Sequence, residues 1–190
     1  SMLQGNTKEI DLSTLFNSNA LLAELLKSEI LNNINLNFNL DINANKFKKY
    51  QGFDDIFLNS KIEEGLIDID NTKFDWKDYA KFKILDSLIH VKNSELVLDG
   101  KLEIIIKNSQ EIYKTLLTPK NYRTEIEKIE LNFNYNFDQK ILKLNDIRVD
   151  NVINKNVGNI LKNLIVRSDK LQNKIYFKNM INKAIKSYAG

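Results

Sequence analysis

The chain has 190 residues, of which 43% are hydrophobic and 28% are charged, and these proportions predict a folded domain and exclude a disordered polypeptide. The net charge of +3 is small and the lysines are spread along the chain, so the sequence lacks the basic stripe with interleaved aromatics that nucleic-acid binding needs. The absence of cysteine excludes disulfides and thiolate metal sites.

The start of the sequence is typical of a fragment taken from a larger protein. No run approaches the roughly 18 apolar residues of a membrane-spanning helix, and no signal peptide opens the chain. Ser1 and Met2 resemble a vector remnant. We therefore expect residues 1–190 to form a single domain of a longer protein, with any membrane anchor in a missing N-terminal part.

The first predicted elements are a helix and a long strand. Ser18 or Asn19 can cap the helix, which ends near Asn32. Its apolar stripe consists of Leu21, Leu22, Leu25, Leu26 and Ile30. The strand follows directly, because every even position from Ile34 to Asn45 is apolar or Ala and every odd position is polar. This period of two indicates a strand with one buried face.

Turn signals separate the shorter strands that follow. We predict a charged turn around Gly52 and hairpin turns at 63–65 and 92–94. The apolar positions change parity around Asp86 and Ser87, which predicts a bulge or a turn because a strand cannot switch faces without one. Asp99 and Gly100 predict a further turn between alternating runs.

The second half predicts a short helix, another long strand and two closing helices. The helix covers Ser109–Leu117, is capped by Ser109 and ends before Pro119. The strand covers Thr124–Phe137, and a helical period begins at Val152. The predicted fold class is α+β. It is a curved, mostly antiparallel sheet with an N-terminal helix, a short internal helix and two C-terminal helices on its apolar face.

The candidate site is the apolar face shared by the two long strands. Its predicted residues, which line a lipid groove or a core, are Ile34, Leu36, Phe38, Leu40, Ile42, Ile129, Leu131, Phe133, Tyr135 and Phe137. The apolar face of a sheet must be buried by another layer or by a ligand. The pattern leaves open whether the predicted helices cover this face or leave it as a trough.

Residues suited to catalysis or metal binding are few. His90 is the single histidine, and no nucleophile or orienting acid is recognisable beside it. Asp68 and Asp70 share a strand face and could bind Ca²⁺, but a solvated face opposite Ile67 and Ile69 is the simpler interpretation. The six glycines form no GxGxxG or P-loop. We predict no enzyme, no cofactor and no metal site.

An ordered series of segments between Ile34 and Asn151 resembles the C-terminal region of the AsmA-like family of bacterial envelope proteins. The segments are EEGLIDID, ELVLDGKLEIII, SQEIYKTL, YRTEIEKIELNFNYNF and LKLNDIRVDN. The resemblance implies an inner-membrane anchor and a periplasmic location. Related large bridge-like proteins carry phospholipid along the hydrophobic inside of a taco-shaped sheet. The resemblance implies no catalytic residues, because the family has none.

On this resemblance we expect a non-enzymatic module of phospholipid transport between inner and outer membrane, or of outer-membrane biogenesis. Its ligands would be phospholipid acyl chains, with envelope proteins as further partners. The alternative is a scaffold with a helix-filled core that binds proteins by edge-strand addition. Glycan binding on the Asn-rich faces is less favoured, because Phe38 lies on the opposite side of its strand from the asparagines.

Overall fold

The structure is a computed structural model that describes residues 1–15, 21–162, 166–167 and 174–190. The strands are β1 (Met2–Ile10), β2 (Phe38–Phe47), β3 (Tyr50–Glu63), β4 (Leu66–Asp68), β5 (Lys73–Trp76), β6 (Ala80–Lys92), β7 (Glu95–Ile106), β8 (Lys128–Asn136), β9 (Ile141–Val149), β10 (Val152–Ile153) and β11 (Val166–Arg167). The helices are α1 (Leu12–Leu15), α2 (Leu21–Lys27), α3 (Ser109–Leu116), α4 (Lys155–Lys162) and α5 (Lys174–Ala189), with a 3-10 turn at Lys120–Tyr122.

The described strands form one eleven-stranded sheet. The order is β1-β2-β3-β4-β6-β7-β8-β9-β10, with β5 between β3 and β6 and with β11 beside β9. Neighbouring strands of this sheet are antiparallel, except that β1 runs parallel to β2. The α+β class, the mostly antiparallel sheet and the helices on its apolar face are as predicted.

The first long strand begins four residues later than predicted, at Phe38. Asn33 explains the difference, since its side-chain oxygen accepts a hydrogen bond from the Asn35 backbone N–H at 2.9 Å and its carbonyl accepts one from Leu36 N–H at 2.8 Å. An asparagine that hydrogen-bonds the backbone two residues ahead competes with strand pairing. Ile34 is therefore 69% exposed and lies outside the sheet.

Residues Met2–Ile10 form a strand that the sequence did not predict. They show no alternation, yet they pair with β2 from Met2 opposite Asn39 to Ile10 opposite Phe47. Ile10 is the only buried residue of this strand. Backbone pairing with β2 rather than side-chain burial therefore holds β1 at the edge of the described sheet.

The predicted turn at Asp99 and Gly100 is wrong, because β7 continues through both residues. Gly100 pairs with Phe133, and a Cβ added to the glycine would lie 2.9 Å from Cζ of that ring. The glycine here makes room for an aromatic ring on the next strand. The unchanged parity of Leu98 and Leu102 already indicated one continuous strand.

The predicted bulge near Asp86 and Ser87 is confirmed. The β6–β7 register shifts between Leu85 and Leu88, and Asp86 has a φ of 48°. Ser87 is buried, and its hydroxyl donates to Asp70 Oδ1 at 2.5 Å and accepts from the Ile69 N–H at 2.9 Å. The hairpin turns at 63–65 and 92–94 are also confirmed.

The helices differ from the prediction at their ends. The helix α2 buries Ala23 rather than the leucine stripe, and Leu21 is 87% exposed. Asn108, not Ser109, caps α3, because its side chain accepts the Glu111 N–H at 3.1 Å. The helix α4 starts only at Lys155, since β10 follows a turn at 150–151 in which both residues have positive φ. The proposed caps Ser18 and Asn19 lie outside the described residues.

The second long strand starts at Lys128 rather than at the predicted Thr124. The Asp150 carboxylate holds the backbone at this start, because its Oδ1 accepts the N–H groups of Glu127 at 2.9 Å and of Lys128 at 2.8 Å. The strand β8 then pairs with β7 on one side and β9 on the other.

Candidate functional site

One apolar face crosses the sheet from β2 to β8. A series of directly paired residues connects the two long strands: Phe38, Ile62, Ile67, Ile89, Leu98 and Tyr135. Directly opposed residues of neighbouring strands point to the same side of a sheet. The two long strands therefore present their apolar residues to one face.

The C-terminal helices close the β8–β9 end of this face. Val157 and Leu161 of α4 pack in one buried cluster with Met180 and Ala184 of α5, and Leu131 of β8 is part of that cluster at 7% exposure. Ile129 and Phe133 pack against the same cluster. This end of the apolar face is therefore a helix-filled core.

The helix α2 covers the opposite ends of β7 and β8. Ala23 is buried in a cluster with Leu96, Leu98 and Phe137. Lys27 of α2 forms an ion pair with Asp138, which also accepts the Leu96 N–H at 2.8 Å. Burial alone would raise the pKa of Asp138, but these two hydrogen bonds outweigh it and hold the pKa below its usual value. The ion pair fastens α2 to the hairpin between β8 and β9.

Aromatic rings occupy the part of the face on β3, β5 and β6, and the sequence interpretation missed this cluster. Phe74 stacks on Phe82 with centroids 4.9 Å apart, and Phe53 contacts both rings at 5.7 and 6.1 Å. Trp76 stacks on Phe53 at 6.2 Å. Each of these four side chains remains partly accessible. We call Phe53, Phe74, Trp76 and Phe82 the aromatic patch.

Register fixes the side of the sheet on which the aromatic patch lies. Phe82 pairs with Ile104, and Ile104 pairs with Ile129, so the patch shares a face with the predicted site residues of β8. Phe74 also packs against the buried cluster around Ile56. The signal in the sequence was the identical parity of Phe74, Trp76 and Phe82 on two strands joined by a short loop.

The ten predicted site residues fall into three groups. Ile34 and Leu36 precede β2 and are not in the sheet. Phe38, Leu40 and Ile42 lie on β2 with partly accessible side chains. The remaining five lie on or just after β8, where Leu131 and Phe137 are buried and the other three pack against the helix-covered clusters: Ile129, Leu131, Phe133, Tyr135 and Phe137. Partly accessible side chains thus lie on both long strands, and those on β8 pack against the clusters that the helices cover.

Asparagines on the opposite face bind carboxylates of neighbouring strands. The side-chain amide of Asn134 donates to Asp99 at 2.7 Å, and that of Asn136 donates to Glu95 at 2.7 Å. Asn132 donates to Asp146 at 3.0 Å in the same manner. Further along the sheet Asn59 donates to the buried Asp41 at 2.6 Å. The Asn-rich polar face therefore has a structural role in cross-strand pairing.

His90 belongs to this polar face. Its Nε2 lies 2.6 Å from Asp99 Oδ2, and Asp99 also accepts from Asn134. Burial would raise the pKa of Asp99, but the hydrogen bonds from Asn134 and His90 outweigh it and lower the pKa below its usual value. Asp99 is therefore an acid beside His90 that the sequence analysis did not recognise, because the two residues meet only across neighbouring strands. Among the described residues, no hydroxyl is hydrogen-bonded to the ring.

Asp68 and Asp70, the carboxylates considered for Ca²⁺, each accept hydrogen bonds from other groups of the protein. Asp70 accepts the backbone N–H and the hydroxyl of Ser87, and Asp68 accepts the Asp70 N–H at 3.1 Å. Another acidic group, Asp54, Asp55 and Asp75, brings one oxygen from each residue within 4.8 Å of the others. Lys107 pairs with Asp75 at 3.0 Å and supplies compensating charge.

Two general properties of the chain complete the description of the site. Among the described residues, no helix combines the length and the hydropathy needed to cross a bilayer. Comparison of the chain with protein-family models, with curated proteins and with solved structures returned no match.

Proposed function

We propose that this protein is a non-enzymatic lipid-binding module on the periplasmic side of the bacterial inner membrane. It would contribute to phospholipid transport towards the outer membrane or to outer-membrane biogenesis. The observation that carries the proposal is the single apolar face, which extends beyond the helix-covered end into the partly accessible aromatic patch. The AsmA-like order of sequence segments supports the envelope setting.

The mechanism is passive. Acyl chains lie along the aromatic patch and Leu58, which packs against the same buried cluster as Phe74, and extend along β2 to Leu40, while the headgroup stays in water at the edge of the sheet. Affinity follows the apolar area removed from water, with little specific chemistry. The helices over β8 and β9 fill part of the face themselves, so the ligand surface is centred on β2–β6 rather than on β8.

Trp76 provides the direct test, because it is the only tryptophan and lies within the aromatic patch. Phosphatidylcholine with brominated acyl chains, presented below its vesicle-forming concentration as a short-chain lipid, should quench Trp76 emission. Phe82→Ser, which removes a ring from the patch, should weaken the quenching. Phe57→Ser is the matched control, because Phe57 pairs with Asn43 and Lys73 on the polar face.

Two results would contradict the proposal. One is unquenched Trp76 emission in the wild-type protein at saturating lipid. The other is equal quenching in wild type and in a Phe82→Ser variant that retains its circular dichroism spectrum. Native mass spectrometry of the purified protein checks independently for co-purifying phospholipid.

A second candidate function is a scaffold that binds proteins by edge-strand addition, and β1 favours it. This strand pairs only with β2 in the described sheet, and Met2 and Leu3 are exposed. An unpaired strand edge is a template for another chain. A photocrosslinker at Leu3 that captures an envelope protein, with no lipid at the aromatic patch, would favour the scaffold.

A further inference from the structure

Acidic residues are almost absent from the C-terminal part of the chain. Residues 151–190 contain eight of the 28 lysines and arginines but only one of the 25 acids, Asp169. This segment therefore carries +7, and residues 1–150 carry −4. The asymmetry comes from the distribution of the acidic residues, because the lysines are spread evenly along the chain. Such charge segregation is typical of a surface that meets nucleic acid or membrane.

A groove lies between the C-terminal end of α3 and the helix α5. It has a volume of about 560 Å³, and its lining includes Leu117, Ile175, Lys178, Asn182, Lys183 and Lys186. Leu117 and Ile175 are 73% and 72% exposed. Within the described part of the chain, the three lysines form no ion pair with a carboxylate. We call these six residues the basic groove.

Leu117 combines wide exposure with a backbone conformation that is unusual for leucine. Leu117 is the C-cap of α3 and has a φ of 58° and a ψ of 36°. Glycine or asparagine is the usual residue at such a left-handed cap, because a larger side chain is strained there. Packing does not explain the leucine, since its side chain is mostly in water.

We propose that the basic groove docks on the surface of a bilayer that contains anionic phospholipid. Leu117 and Ile175 enter the interface between headgroups and acyl chains, and the three lysines contact phosphate groups around them. Exposed apolar side chains ringed by lysines are the features that bind an interfacial helix to an anionic membrane. An acidic protein could use the same side chains, so the experiment below compares the bilayer with a soluble polyanion.

This docking surface is separate from the aromatic patch. The proposed function concerns single lipid molecules on the sheet, whereas the basic groove would bind an intact bilayer through other elements. Either proposal can therefore fail alone: Trp76 quenching by monomeric lipid reports on the patch, and sedimentation with vesicles reports on the groove.

The test is co-sedimentation of the full chain with large vesicles. Vesicles of phosphatidylcholine with 30% phosphatidylglycerol are compared with pure phosphatidylcholine at 0.05 and 0.3 M NaCl. The triple variant Lys178→Gln, Lys183→Gln, Lys186→Gln removes the lysines of the basic groove. The matched control, Lys8→Gln, Lys92→Gln, Lys143→Gln, removes the same charge from three exposed lysines elsewhere.

We expect binding to the anionic vesicles that weakens with salt. Each lysine near an anionic surface raises the affinity by roughly a factor of five, so the groove variant should bind about 100-fold more weakly than wild type. The control variant should bind several times more tightly than the groove variant. Leu117→Asn should also reduce binding while preserving or raising the melting temperature, because asparagine tolerates the left-handed cap. Leu21→Asn, at another exposed leucine, should bind as wild type.

Three outcomes would overturn the proposal. They are the absence of binding to anionic vesicles, an equal loss in the two lysine variants, and wild-type binding by Leu117→Asn. Soluble polyglutamate that binds the groove when vesicles do not would assign the surface to an acidic protein instead.

Discussion

Truncating one leucine at each end of the apolar face should distinguish the helix-filled core from the accessible surface by the stability that each variant loses. Leu131→Ala removes about three methylene groups from a side chain that is 7% exposed under the C-terminal helices. At roughly 0.8 kcal/mol for each group, the lost transfer energy is about 2.4 kcal/mol, and a closed cavity raises the total to about 3–4 kcal/mol. Leu40→Ala makes the same chemical change at a partly accessible position. Its gap opens to solvent, so we expect about 1–2 kcal/mol.

Urea unfolding monitored by circular dichroism measures both changes in the free energy of unfolding. Lipid binding should show the reverse order, with Leu40→Ala reducing Trp76 quenching more than Leu131→Ala does. A loss of stability for Leu40→Ala equal to or above that for Leu131→Ala would refute the assignment of core and accessible surface.

Three further outcomes follow from single contacts. Burial and the nearby Glu125 raise the pKa of Tyr113 to about 12. The stability that its neutral hydroxyl contributes is therefore present below pH 10 and is lost between pH 10 and about 12. The free energy of unfolding should depend less on pH in this range in Tyr113→Phe than in wild type. Ser87→Ala should lower the free energy of unfolding by about 1–3 kcal/mol, because Asp70 loses the buried hydroxyl of Ser87 as a hydrogen-bond donor. Urea titration measures this change, and a smaller loss would show that the bulge does not need the Ser87–Asp70 hydrogen bond. Ile34→Asp should change the melting temperature by less than about 2 °C because the side chain lies outside the sheet, and a large drop would restore the residue to β2.

Alternation predicted most of the sheet because most of its strands, unlike β1, have one apolar face. Phe38, Leu40 and Ile42 all have even numbers, and Leu131 and Phe133 both have odd numbers. The spacing of two within each strand places its apolar side chains on one side, which is a local signal. The bulge at Asp86 and Ser87 was predictable for the same reason, since the parity changes there. Element class and the shared face therefore followed from the pattern.

The late start of β2 and the cap of α3 depend on local hydrogen bonds of Asn33 and Asn108, whereas other misses come from contacts between residues far apart in the sequence. The reason for a glycine at position 100 becomes visible only when its neighbour across the sheet, Phe133, is known. The strand Met2–Ile10 has no alternation of its own and depends on pairing with β2. The aromatic patch forms only when the bulged register between β3 and β5 brings Phe53 beside Trp76. Single-strand periodicity contains none of this pairing information.

The asparagine–carboxylate contacts of the polar face have an electrostatic consequence. An amide that binds Asp99 or Glu95 satisfies a hydrogen bond without adding a positive charge, so these contacts leave the negative charge of the carboxylates in place. Residues 1–150, which include most of the sheet, carry −4, and residues 151–190, which include the two C-terminal helices, carry +7. The molecule is therefore an electric dipole. Near a negatively charged surface it experiences a torque that turns the helices towards that surface and the asparagine-rich face away from it, before any contact is made.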